Sequence, residues 1–187
     1  MYLANTLVGV DSACRSALAI DKMTVSLNAT GSPGTGVANY TALSSLMGSL
    51  TSGDVVRLPA GTILIDLNAD SNSIITFKAG VRFIGHEKGT TIKVTNQLGS
   101  HNPLKPASNT TFENITFQWD MASHPSAGSD CSLVYVNGVD GVTFRKCKFF
   151  GDADTGVTAV GGQLYWLGRV ICLDVRNSTN ITVDECE

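Results

Sequence analysis

Two aspartates share one position in a repeated motif. Asp120 lies eleven residues after Asn109, and Asp152 lies eleven after Gly141 (120 − 109 = 152 − 141 = 11). A fold that stacks the two copies of the motif one strand spacing apart, about 4.8 Å, sets the two carboxylates side by side. Carboxylates that close repel, so one of them tends to hold a proton. An acid beside an ionised carboxylate is the equipment for cleaving a glycosidic bond, and a carboxyl separation of about 5–5.5 Å suits a retaining glycosidase. Trp119, Tyr165 and Trp166 stand nearby and offer flat faces for sugar rings. The aspartates also have a plainer reading: each ends a strand where the chain must turn, and Asp is a favoured turn residue.

What positions them is a repeat of four copies. Gly80–Gly85 reads GVRFIG, Asn109–Phe117 reads NTTFENITF, Gly141–Phe149 reads GVTFRKCKF and Asn180–Glu187 reads NITVDECE. A turn residue leads each copy (Gly80, Asn109, Gly141, Asn180). An apolar or β-branched residue follows, then a polar one, then a large apolar residue (Phe83, Phe112, Phe144, Val183). Three positions further on, the last three copies place Ile115, Cys147 and Cys186. The alternation has a period of two, which marks strands with one buried face. The intervals grow, 109 − 80 = 29, 141 − 109 = 32 and 180 − 141 = 39, while the register of the strand stays fixed. Coils of a parallel β-helix with loop insertions of differing length meet both facts, whereas no copy shows the apolar face of a helical repeat.

Composition narrows the partners. With 13 basic and 16 acidic side chains and a net charge of −3, the chain has no Lys/Arg cluster suited to nucleic acid or an anionic membrane. An apolar content of 43% excludes a disordered chain. No stretch reaches the roughly 18 consecutive apolar residues of a membrane span. The N-terminal text lacks a basic start and a continuous apolar core, so no signal peptide is read. Five cysteines show no metal-type spacing. Cys147 and Cys186 fall at inward repeat positions and read as reduced core thiols, with a disulfide between neighbouring coils as the alternative. His86, His101 and His124 have no partner at ligand or triad spacing and read as surface residues; no metal site or cofactor is expected. N-x-S/T occurs at Asn28, Asn39, Asn109, Asn114, Asn177 and Asn180. Asn109 and Asn180 occupy the turn column, so the sequon there follows from Asn turns before Thr-rich strands.

Residues 1–23 lie outside the repeat and read as an N-terminal arm, with a short helix over Val10–Met23; it is either an anchor on a larger assembly or a surface-packed arm. Residues 24–187 form the second unit: a capping helix followed by coils. Thr24–Ala29 alternates like a strand and TGSPGTG (residues 30–36) reads as loop. Leu43, Leu46, Met47 and Leu50 at i, i+3, i+4, i+7 predict an amphipathic helix begun by Asn39 or Thr41, with Gly53 where its C-terminus wants a positive φ. Its apolar stripe would close the open end of the stack.

Asp54–Leu67 (DVVRLPAGTILIDL) and Ser73–Val94 (SIITFKAGVRFIGHEKGTTIKV) carry the most distinctive text. A strand, PAGT, another strand, a K-x-G-V-x-F-I-G run and GTTI resemble the opening coils of the pectate-lyase-like superfamily. That group contains right-handed β-helix polysaccharide lyases and hydrolases and many bacteriophage tailspikes. The resemblance spans roughly residues 24–187 and speaks to fold rather than activity. Many members precede the capping helix with an acidic G-D-G-x-x-D-D-T run; here the text is GTGVANYT. GDAD at Gly151–Asp154 only loosely resembles the paired-Asp motif of polygalacturonases, whose G-H-G and R-I-K motifs are absent, and no Ca²⁺-binding Asp cluster of a pectate lyase is identified.

The resemblance implies an all-β fold, a right-handed single-stranded parallel β-helix with an N-terminal capping helix. It also implies a tailspike or tail-fibre protein of the virion tail: a homotrimer, docked through its arm on other tail or baseplate proteins, facing a bacterial surface polysaccharide. The strand text runs to Glu187 with no capping motif, which reads as a stack whose further coils, and any depolymerase machinery, lie beyond this sequence. Two alternatives stand beside it. One is an extracellular polysaccharide lyase or glycoside hydrolase using Asp120 and Asp152; the other is a structural virion component without a ligand.

Overall fold

The computed structural model describes residues 33–67, 74–95, 102–119, 131–151, 159–160, 163–164 and 170–187. The arm and the strand expected over Thr24–Ala29 lie outside the described residues. Among the described residues one helix, α1 (Pro33–Ser49), leads into fifteen strands: β1 (Val55–Arg57), β2 (Gly61–Asp66), β3 (Ile75–Thr76), β4 (Arg82–Ile84), β5 (Thr90–Thr95), β6 (Leu104–Lys105), β7 (Thr111–Glu113), β8 (Ile115–Trp119), β9 (Cys131–Asn137), β10 (Thr143–Arg145), β11 (Lys148–Gly151), β12 (Ala159–Val160), β13 (Gln163–Leu164), β14 (Val170–Arg176) and β15 (Thr182–Asp184).

Three parallel sheets arise because each coil visits the same three places in turn. Sheet 1 runs β1-β4-β7-β10-β15, sheet 2 runs β2-β5-β8-β11, and sheet 3 runs β3-β6-β9-β14. The result is a mostly parallel, solenoid-like all-β structure with one helix; β12 and β13 form a separate antiparallel pair. The motif columns read from the sequence are the registered columns of sheet 1: Phe83 pairs with Phe112, Phe112 with Phe144 and Phe144 with Val183. Val56 pairs with Phe83, so sheet 1 holds one more coil, ahead of the four aligned copies.

Stacking like on like fills the interior with a spine of rings. Phe83, Phe112 and Phe144 are fully buried and lie face to face at centroid distances of 5.5 and 5.2 Å. Phe77 and Phe117 meet Phe112 edge-on at 4.8 and 5.6 Å, the other arrangement that ring quadrupoles favour. Inward columns of sheet 2 add Ile63, Ile92 and Phe117, then Ile65, Val94 and Trp119.

The lead residues of the motif are where the chain must turn with positive φ. Gly53 (94°), Gly80 (71°), Asn109 (59°), Gly141 (71°) and Asn180 (53°) all adopt the left-handed region, which costs Gly nothing and Asn little. A second such column is Asn114, Lys146 and Glu185; Asn114 and Lys146 stand at the bend from sheet 1 to sheet 2. The turns are tied along the axis: Gly53 N–H donates to Gly80 O (2.9 Å), Gly80 N–H to Ser108 O (3.0 Å) and Asn109 N–H to Asp140 O (2.8 Å). Asn114 adds a side-chain rung, its Nδ2 donating to His86 O at 2.8 Å.

The helix differs from expectation at its start. It begins at Pro33, so residues 33–36 are helical rather than loop, and neither Asn39 nor Thr41 caps it. Proline suits a first helical turn because its missing N–H has no intrahelical partner there. Asn39 instead sits buried inside the helix and donates from Nδ2 to Leu64 O (2.9 Å), on the strand β2 that ends sheet 2. Leu43, Met47 and Leu50 are buried in the common core, and Leu46 packs against it. Gly36 lies so close to Asp66 that a Cβ there would strike the Asp66 side chain. The helix thus covers the first coil, as a solenoid end requires.

Candidate functional site

The connections between strands show where the stack varies. From sheet 3 to sheet 1, the four connections (residues 77–81, 106–110, 138–142 and 177–181) are five residues each. From sheet 2 to sheet 3 they run 67–74, 96–103, 120–130 and 152–169, growing from eight residues to eleven and eighteen. The connections from sheet 1 to sheet 2 are short, at three, five, one and two residues, so the longest connections lie at the corner between sheets 2 and 3. Loops carried by a rigid frame are where binding and catalytic groups concentrate.

Asp120, Asp152, Tyr165 and Trp166 all belong to this corner in the sequence, and all four lie outside the described residues. Their approach is described. Thr143 pairs with Thr111 and Gly151 with Trp119, both at an offset of 32 (143 − 111 = 151 − 119), so no bulge intervenes between the lead turn and the last residue before each aspartate. Trp119 itself departs from the sugar-platform expectation. Its side chain is 1% exposed, in the inward column with Val94, and offers no face to solvent. Strand alternation decides this: Phe117 and Trp119 share a side, and Phe117 belongs to the buried spine. The Trp119 Nε1–H has no hydrogen-bond partner among the described residues.

Sheet 3, on the far side of the same corner, carries a polar cluster that the motif alignment missed. Tyr135 of β9 is half-buried, with Lys105 Nζ 5.9 Å and Arg176 Cζ 5.7 Å from its ring centroid, a cation–π arrangement drawn from three coils. Asp174, paired in register with Tyr135, accepts from Ser132 Oγ (2.8 Å) and Arg176 Nε (3.1 Å) and meets Arg176 Nη2 at 2.8 Å. Hydrogen bonding from Arg176 outweighs burial and, with Ser132, holds the Asp174 carboxyl below the usual range. The cluster combines an aromatic ring with fixed donors and an acceptor, the groups that recognise hydroxyl-rich ligands. The signal was there as a second repeat: SLVYVNG and ICLDVRN align at an offset of 39 (171 − 132), the interval that also separates the last two motif copies.

Cys147 and Cys186 are free thiols on neighbouring coils, with Cys147 N–H donating to Cys186 Sγ at 3.3 Å. Burial pushes the Cys147 thiol up to about 12, so it packs as a small apolar group and is no nucleophile at neutral pH. His86 lies in the connection from β4 to β5, where its Nδ1 accepts from Lys88 N–H (3.1 Å) and its own N–H donates to Thr90 Oγ1 (2.8 Å). His101 and His124 lie outside the described residues. Among the described residues no group of three or more His, Cys, Asp or Glu is placed to hold a metal ion. No family model, curated protein or solved structure matches the chain.

Proposed function

We propose that this chain is a right-handed, pectate-lyase-like parallel β-helix of a bacteriophage tailspike or tail fibre, and that its loop-bearing corner recognises a host surface polysaccharide. The observation that carries the reading is the growth of the sheet 2 to sheet 3 connections, from eight residues to eighteen, above a fixed register, with Asp120 and Asp152 following the paired residues Trp119 and Gly151. A rigid edge with variable loops can hold an extended glycan across several coils, and the Tyr135 cluster supplies ring and hydrogen-bonding groups beside it. The tailspike setting (a homotrimer in the virion tail, docked through residues 1–23) rests on the resemblance of the PAGT coils alone.

The same corner favours a second reading, cleavage of the glycan by an Asp120/Asp152 acid–base pair. One experiment separates the two. A panel of bacterial capsular and O-antigen polysaccharides is screened for binding and for release of reducing ends, using the native chain and the Asp120→Asn and Asp152→Asn variants. Retained binding with cleavage lost in the variants assigns the carboxylates to catalysis. Binding without cleavage in every form leaves recognition alone. Absence of both overturns the glycan reading and leaves a structural component.

A further inference from the structure

We propose that Asn137 is a site of self-modification, where the side-chain amide is converted to a carboxylate that Arg176 takes as a partner. The sequence holds a single Asn-Gly pair, Asn137–Gly138. It stands where β9 leaves sheet 3, with β6 on one side of that strand and β14 on the other. Both residues are exposed to water. The chemistry needs only the chain and water. The backbone nitrogen of Gly138 loses its proton to hydroxide and attacks Cγ of Asn137. A C–N bond forms, the Cγ–Nδ2 bond breaks, and the amide nitrogen leaves as ammonia with a proton from water. The cyclic imide then takes up one water and opens, either to aspartate with the ordinary backbone or to isoaspartate, whose backbone runs through Cβ and Cγ. Nothing is oxidised or reduced.

The surroundings favour this amide over the other described asparagines. Gly138 has no side chain, and a Cβ built there would meet nothing within 4 Å, so the approach of its nitrogen is open. Asn109, Asn114 and Asn180 are followed by Thr110, Ile115 and Ile181, whose branched side chains crowd the attacking nitrogen. Asn102 precedes Pro103, which has no N–H to lose. Asn39 is buried within α1, and Asn177 precedes Ser178, which carries a side chain. Asn177 Nδ2 donates to Asn137 Oδ1 (3.2 Å) and draws electron density from the carbon under attack. The bond that must open to free the nucleophile, Gly138 N–H to Arg176 O, is at the long end of the normal range at 3.2 Å.

The aspartate product fits the fold. Asn137 pairs in register with Arg176, whose guanidinium Asp174 holds through Nε (3.1 Å) and Nη2 (2.8 Å). A carboxylate at position 137 offers that cation a second acceptor and keeps the bond from Asn177. It also adds one negative charge beside Lys105, Tyr135 and Arg176, which changes what the polar face of sheet 3 presents. Isoaspartate fits worse, because it lengthens the backbone of a five-residue connection tied to the next coil. Gly138 N–H reaches Arg176 O, Thr179 N–H reaches Val139 O (3.1 Å) and Gly141 N–H reaches Thr179 O (3.1 Å). The fold therefore selects opening to aspartate.

The test incubates the full chain in neutral and mildly alkaline buffer beside a synthetic peptide of Ser132–Asp140. Both are sampled for released ammonia and by peptide mapping with mass spectrometry that separates aspartate from isoaspartate. Conversion is expected at Asn137 before any other described asparagine, within tenfold of the peptide's rate and faster at the higher pH. The chain should give a larger share of aspartate than the peptide does. Gly138→Asn keeps a residue that tolerates the left-handed turn and should slow the reaction at least tenfold. Asn137→Asp should melt no lower than the native chain. Conversion more than tenfold slower than in the peptide, earlier conversion at another described asparagine, or a lowered melting temperature of Asn137→Asp would overturn the proposal.

Discussion

Removing the ring at the centre of the spine tests the stacked-coil account most directly. Phe112 is fully buried and touches four other rings, Phe77, Phe83, Phe117 and Phe144, at centroid distances of 4.8, 5.5, 5.6 and 5.2 Å. A buried Phe→Ala change costs about 3–5 kcal/mol, and each aromatic pair adds about 0.5–1.5 kcal/mol beyond area, so Phe112→Ala should fall at the upper end, about 4–5 kcal/mol. The control is Val183→Ala in the same column. Its side chain is already 53% exposed, and losing two half-buried methyl groups costs about 1 kcal/mol or less. Urea denaturation followed by far-UV circular dichroism reads both. With an m-value of about 2 kcal/mol per M, Phe112→Ala lowers the midpoint by about 2 M and Val183→Ala by about 0.5 M or less. Midpoints of the two variants within about 0.5 M of each other would refute the reasoning, because burial between neighbouring coils would then not set the cost of the truncation.

Two further outcomes follow from the same geometry. Gly85→Ala sets a Cβ on the Asn114 carbonyl oxygen of the next coil, a backbone atom that cannot swing aside. Destabilisation of about 3 kcal/mol or more is expected in the same melts, and a loss under about 1 kcal/mol would show that the coils separate more easily than a packed interior allows. Glu113 supplies the pH test. Burial raises its carboxyl, but hydrogen bonds and charges from Arg82 and Arg145 outweigh that and hold it below its ordinary value of 4.5. A lowered folded value means the ionised form stabilises the fold; that contribution is complete above pH 4.5 and is lost as the pH falls through the lowered value. The arginines are half-exposed, so solvent screening limits it to about 1 kcal/mol or less. The gap between melts of the native chain and Glu113→Gln should narrow from pH 6 to pH 3.5; an unchanged gap would count against the ion pairs.

The sequence carries the register that leads up to the candidate corner, but not the direction of the Trp119 side chain. The offset that places Asp120 and Asp152 after equivalent residues came from counting along the motif, and the pairing of Trp119 with Gly151 holds that count up to the corner. Trp119 reads as a sugar platform only because it stands next to Asp120 in sequence. In a strand, adjacent residues point to opposite faces, so proximity along the chain says nothing of a shared surface. The Tyr135 cluster was missed for the complementary reason. Its members, Lys105, Tyr135 and Arg176, come from three coils, and none of them belongs to the motif that was aligned.

By itself the sequence determined the coil. Period-two columns and a Gly or Asn at each left-handed turn are local properties, fixed by side-chain alternation and by the steric cost of positive φ, and both can be read one copy at a time. Tertiary structure decided what depends on the neighbouring coil. It started the helix at Pro33 and turned Asn39 from an expected cap into a donor to the Leu64 carbonyl. It placed Glu113 between two arginines 31 and 32 residues away. It buried Trp119 in the inward column with Val94. These outcomes depend on which atoms the next coil brings within a few ångströms, and strand spacing sets that distance across roughly thirty intervening residues.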